Sequence, residues 1–79
     1  MEIKIILKGS MRRFFDGEGE RMAEVPDGCS CHEALKSVGI DYQQIPRFGF
    51  VAVNSSRVMI SDALKEGDQL KVYPKISGG

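Results

Sequence analysis

The sequence has no tryptophan, a single histidine and no surplus of either charge, and each absence closes off a class of function. With only 4 Phe and 2 Tyr, any core must be mostly aliphatic. Lys plus Arg number 11 and Asp plus Glu number 11, so the net charge is zero. Binding nucleic acid through counterion release needs a basic surplus or a basic stripe. Arg12-Arg13 is too small a cluster to provide one. No apolar run approaches the ~20 residues that cross a bilayer. Met1-Glu2-Ile3-Lys4 lacks the long apolar segment of a signal peptide. These features predict a soluble, cytoplasmic protein with neither nucleic acid nor membrane among its partners.

Cysteine is scarce as well. Cys29 and Cys31 are separated by one residue. A disulfide between them would close a small, strained ring, so neither staples distant parts of a fold, and a reducing compartment is the simpler setting. A structural zinc site takes four ligands, usually with at least two residues between paired cysteines. One histidine and one Cys-Ser-Cys do not supply that set, and no metal is expected.

What is present suffices for one small domain. The chain has 79 residues, 42% of them hydrophobic, which is near the lower limit for a core that holds without staples. In residues 2–8, Ile3, Ile5 and Leu7 alternate with Glu2, Lys4 and Ile6, as in a half-buried strand. Residues 11–19 hold Phe14-Phe15 and then Asp16-Gly17, which predict a turn. A second strand over 20–25 pairs back on the first, and Pro26-Asp27-Gly28 ends it. Ser30-Cys31-His32-Glu33 fits a capping box. Cys31, Ala34, Leu35 and Val38 follow at the spacing of one helical face, and Gly39 supplies the stop. A short helix over 31–38 is expected. It places Cys31 in the core, His32 in solvent, and Cys29 exposed near a helix N-terminus, where a thiol pKa can fall.

Further on, Phe48 to Val53 reads as a strand, with Phe48 and Phe50 on one face and Val51 and Val53 on the other. Asn54-Ser55-Ser56 is a turn and Arg57-Val58-Met59 a return strand. Ser61 to Leu64 suits a single helical turn. Glu66-Gly67-Asp68 turns again into a strand from Gln69 to Tyr73, with Leu70 and Val72 inward. Pro74 ends it for want of an N–H. The fold class is α+β: a mixed sheet of four to five strands wrapped around one main helix. An exposed set of aromatic residues on that sheet would serve as a partner-docking patch. The alternative is that all of them are core.

Three segments together resemble the MoaD/ThiS family of ubiquitin-like, β-grasp sulfur carriers. Gly28-Cys29-Ser30-Cys31-His32-Glu33-Ala34-Leu35 is similar to the family's glycine, hydroxyl cap, apolar residue, acidic residue and leucine. Val51-Ala52-Val53-Asn54 is similar to its strand ending in Val-Asn. Leu64 to Gly79, with Gly67-Asp68, Pro74 and a final Gly78-Gly79, is similar to its Gly-Asp turn, closing strand and diglycine terminus. The resemblance runs the length of the chain. It implies a β-grasp domain over residues 1–74 and a flexible tail over 75–79 that carries the reactive glycine.

The resemblance implies a carrier rather than an enzyme, with no tightly bound cofactor. A ubiquitin-activating-type enzyme uses ATP to adenylate the Gly79 carboxylate, and a sulfur donor displaces AMP to leave a thiocarboxylate. The acceptor is held by a second partner, such as a molybdopterin synthase large subunit. The tail's own chemistry agrees. Gly78 and Gly79 have no Cβ and suit threading into a narrow tunnel. Five extended residues after Pro74 reach roughly 17 Å. Candidate partner-binding residues are Phe48, Phe50, Pro74, Lys75, Ile76 and Ser77. Pro74 and the long segment over 9–20 favour the molybdopterin branch. The alternatives are a ThiS-like carrier for thiamin thiazole synthesis, a ubiquitin-like modifier, or an interaction module that never uses its terminus.

Overall fold

In the computed structural model, which describes residues 1–75, the alternation at the start of the chain becomes strand β1 (Glu2–Leu7). Ile3, Ile5 and Leu7 are buried as expected. β2 (Glu20–Glu24) runs antiparallel to it, with Ala23 opposite Ile3. The remaining strands are β3 (Phe48–Val53), β4 (Ser56–Val58) and β5 (Gln69–Pro74). They form one mixed sheet in the order β2-β1-β5-β3-β4. Its central pair, β1 and β5, is parallel and places Ile5 beside Leu70 and Leu7 beside Val72. One helix, α1 (Cys31–Ser37), packs Cys31, Ala34 and Leu35 onto that face. This is the α+β, β-grasp arrangement, and no helix among the described residues is long and apolar enough to cross a membrane.

A seven-residue helix is too short to persist alone, and both of its ends are fixed. The Ser30 hydroxyl accepts the Glu33 N–H at 3.1 Å, and the Glu33 carboxylate accepts the Ser30 N–H at 2.9 Å. At the other end Gly39 has φ of +85°. The Ile40 N–H reaches back to the Leu35 carbonyl at 2.9 Å and the Gly39 N–H to Lys36 at 3.0 Å. This pair of hydrogen bonds is the Schellman stop, and its left-handed residue favours glycine. Ser30→Ala is expected to cost about 1 kcal/mol, a melting temperature lower by roughly 4–8 °C. An unchanged melting temperature would mean that the neighbouring loop alone holds the helix start.

That loop is where the sequence reading is first corrected. Ser61 to Leu64 do not form a helical turn. Ala63 bridges to Ser30, and the Ile60 and Asp62 carbonyls accept the His32 and Cys31 N–H groups at 2.9 and 3.0 Å. The first-turn donors of α1 have no partner within their own helix, and satisfying them ties this segment, which turns at Ile60-Ser61, to the start of α1. The second correction lies at residues 9–15. The expected turn is present at Asp16-Gly17, both with positive φ, but it is preceded by an unforeseen 3-10 helix, Gly9–Phe15, which buries Met11 and Phe15. A second, three-residue 3-10 helix spans Tyr42–Gln44. β4 begins one residue before the expected return strand and ends before Met59.

Candidate functional site

β5 is the last strand among the described residues and ends at Pro74. Its inward residues Leu70 and Val72 pack in the core, while Lys71 and Tyr73 occupy the opposite, outer face. Pro74 is paired with Phe48 of β3, so the strand extends one residue past the expected end. Proline has no N–H to donate, but its pairing here rests on the edge of the ladder, at the last strand position. Lys75 is exposed. Ile76, Ser77, Gly78 and Gly79 lie outside the described residues.

The pairing of β3 with β5 slips between Phe48 and Phe50, leaving Gly49 as a bulge. An extra residue on one strand reverses the in-out alternation beyond it. Phe48 and Phe50 therefore do not share a face, contrary to the strict alternation expected of this strand. Phe48 packs against the core cluster and meets Tyr42 at a ring distance of 5.3 Å. Phe50 stacks on Tyr73 instead, with ring centroids 4.6 Å apart and planes within 8°. The Arg57 guanidinium sits 4.4 Å from the Phe50 ring centre.

β5, β3 and β4 are adjacent, so Tyr73, Phe50 and Arg57 form a continuous platform across three strands. Its apolar area carries two cations, Arg57 and the neighbouring Lys71. Such cation–π contacts keep an arginine over its ring while leaving its outer edge for a partner's acceptor. A groove of about 320 Å³ borders it, lined by Tyr42, Phe48, Gly49, Phe50, Val58 and Met59 among others. Of the aromatic pair proposed for docking, Phe50 belongs to this platform and Phe48 forms the groove wall. Sequence reading missed Tyr73 and Arg57. The signal for Tyr73 was present, because alternation with Leu70 and Val72 puts it outside.

The cysteines are not a reactive site. Cys29 is buried, at 6% exposure, where the sequence suggested an exposed thiol, and Cys31 is fully buried. Burial pushes the Cys29 thiol pKa up, and the nearby Glu33 charge pushes it further. Burial, with the Asp62 charge, raises Cys31 from 9.0 to about 11. The folded state thus keeps a proton that the unfolded chain releases, so the stabilisation is complete below pH 9 and lost as pH rises towards 11. The melting temperature is expected to fall over that range, and Cys31→Val to fall less steeply. Parallel curves would show that Cys31 ionises alike in both states. His32 is half-buried rather than solvated, edge-on to Tyr42 at 4.8 Å and 3.8 Å from an Asp41 oxygen. No cluster of three metal-ligating side chains occurs among the described residues.

Two of the motif residues, Asn54 and Asp68, prove structural. The Asp68 carboxylate accepts the Lys65 N–H at 2.8 Å and the Asn54 side-chain amide at 3.3 Å. The Asn54 oxygen accepts the Gln69 N–H at 3.1 Å. Together they tie the β3–β4 turn to the start of β5 and fix where that strand begins.

The ThiS family model matches residues 5–79. No curated protein matches the chain. Among solved structures, SAMP1 from Haloferax volcanii superposes with a TM-score of 0.78 at 19% identity, with both chains covered in full, 100% each. A putative molybdopterin converting factor, subunit 1, from Pyrococcus furiosus gives 0.73 at 21% identity, over 96% of this chain and 99% of that one. A chain from the complex of subunits 1 and 2 of the molybdopterin-converting factor of Helicobacter pylori gives 0.65 at 17% identity, over 100% of each. At these identities the likeness carries the fold.

Proposed function

The chain belongs to the ThiS family, and from that premise we propose that it carries sulfur on the carboxylate of Gly79. At the level of the family it is a ubiquitin-like sulfur carrier, and catalysis belongs to its partners. A carboxylate is a poor target for a nucleophile. Attack of the Gly79 carboxylate on the α-phosphate of ATP, on an adenylating partner of the ubiquitin-activating type, releases pyrophosphate and gives an acyl-adenylate. A sulfur donor then displaces AMP, leaving a thiocarboxylate for delivery to an acceptor. The observation that carries the reading is the family match running through Gly78-Gly79, five residues beyond the point where β5 ends.

Ordering the tail inside a partner costs conformational entropy, so a docking surface must supply affinity. The platform of Tyr73, Phe50 and Arg57, with Lys71, is suited to that role and adjoins the tail's root. It favours a partner surface that is apolar at its centre and acidic at its rim.

The preferred acceptor is a pterin precursor on a molybdopterin synthase large subunit, in a cytoplasmic setting. Two supports are the proline-bearing tail and the long segment between β1 and β2, together with likeness to two molybdopterin-converting subunits. A modifier role has its own support in the likeness to SAMP1, a small archaeal modifier protein. The deciding experiment is an intact-mass spectrum after incubation with an adenylating partner, ATP and sulfide. An oxygen-to-sulfur gain mapped to Gly79 supports the carrier. An isopeptide bond from Gly79 to a lysine supports the modifier. Absence of both, where a known carrier is converted by the same partner, rejects the reading.

A further inference from the structure

We propose that Gly49 is a positioning residue for the terminal chemistry: by lacking a Cβ it lets β3 close on the Pro74–Lys75 peptide and pins the root of the tail. The proposal rests on the carrier reading above.

A Cβ built on Gly49 would stand 2.5 Å from the Pro74 carbonyl oxygen, 2.6 Å from its carbon and 2.8 Å from the Lys75 nitrogen. All three are backbone atoms, so no side-chain rotation relieves the clash. Any other residue at this position must push β3 away from the last residues of the domain. The closure has a hydrogen bond to show for it, because the Lys75 N–H donates to the Arg47 carbonyl at 2.6 Å. The Pro74 ring is held as well. It lies over Gly9, where a Cβ would meet the ring's Cγ at 3.1 Å.

Pro74 has its φ fixed by its ring and gives no N–H to the sheet. Besides its pairing with Phe48, the neighbouring contacts hold it: Gly9 at the ring, Gly49 at the carbonyl, Arg47 at the next N–H. The consequence is one of reach. The platform docks the domain, and the reacting carbon must then arrive at a fixed distance from it. A root pinned at Lys75 leaves four residues to cover that distance. A root that peels from β3 leaves the same tail hinged farther back, at a variable starting point. Misplacement of reacting groups by about 1 Å can cost 100-fold in rate.

The test uses the full chain and Gly49→Ala. Amide hydrogen exchange is measured at Lys75 in each, and steady-state conversion of Gly79 is measured with the adenylating partner, ATP and sulfide. The wild-type Lys75 amide is expected to be protected and the variant's to lose protection. The kcat at saturating carrier is expected to fall roughly 10- to 100-fold. One glycine inserted between Lys75 and Ile76 of the wild type shifts Gly79 from its distance to the platform without touching Gly49 and should lower kcat by a similar factor; an insertion without effect overturns the argument from reach. A wild-type Lys75 amide that exchanges at the unprotected rate overturns the proposal without reference to activity, and does so even if the variant fails to fold. Equal kcat for wild type and variant overturns it too. If wild-type Gly79 is not converted at all, the carrier reading has failed, and the positioning role fails with it whatever the exchange shows.

Discussion

Phe15→Ala is expected to cost about 3–5 kcal/mol, the usual range for truncating a buried phenylalanine. The side chain has 0% exposure and closes the 3-10 helix that connects β1 to β2. Met11 is buried from the same helix, and the Arg21 guanidinium covers the Phe15 ring at 4.2 Å. A domain of this size has a total stability of about 5–15 kcal/mol at most, so the loss is a large share of it. Urea denaturation is the measurement: the midpoint should fall sharply while the slope against denaturant stays unchanged. Phe14→Ala is the comparison. Phe14 is only half-buried, with Arg13 5.2 Å from its ring centre, and should cost much less. Equal losses in the two variants would contradict the assignment of Phe15 as the plug of this end of the core.

The contrast between these two adjacent phenylalanines shows where the sequence was legible. β1 and the capping box were read correctly because their signals are local. Alternation decides the face of Ile3, Ile5 and Leu7, and Ser30 and Glu33 satisfy each other three residues apart. The 3-10 helix gave no such signal. Gly9-Ser10 opens it with poor helix formers, and Met11 and Phe15 gain their burial only from a core built by other segments. A glycine inside a strand can mark a bulge or a close backbone approach, but strict alternation was expected through Gly49, because the approaching atoms belong to Pro74 and Lys75, far along the chain. Ser61 to Leu64 had a plausible helical pattern and lost it to the hydrogen-bonding needs of α1. Cys29 looked exposed because its cover, Leu64 and the bridge beside it, comes from that same distant segment. For the candidate site, the terminal glycines were read as a motif. The platform was only half found, because Tyr73, Phe50 and Arg57 become neighbours through strand order alone.

Removing Gly78 and Gly79 is expected to abolish sulfur loading while leaving the melting temperature and partner docking unchanged. Among the described residues the buried cluster runs from Ile3 to Val72, and a glycine has no side chain to contribute to it. The platform and the groove lie within residues 42–73 and also survive. The shortened chain still ends in a carboxylate, now on Ser77, and this makes the test informative. The loss is of about 7 Å of reach and of the two residues without a Cβ next to the reacting carbon. Gly78→Ala with Gly79→Ala restores the length but not the slenderness. If reach alone matters, that double variant should load as the wild type does. If the partner's channel admits only backbone, it should stay inactive while binding with unchanged Kd. Intact-mass spectra give the loading and calorimetric titration with the adenylating partner gives the Kd. A deletion variant that retained full biological activity would leave the terminus without a chemical role and make the platform, not Gly79, the working part of the molecule.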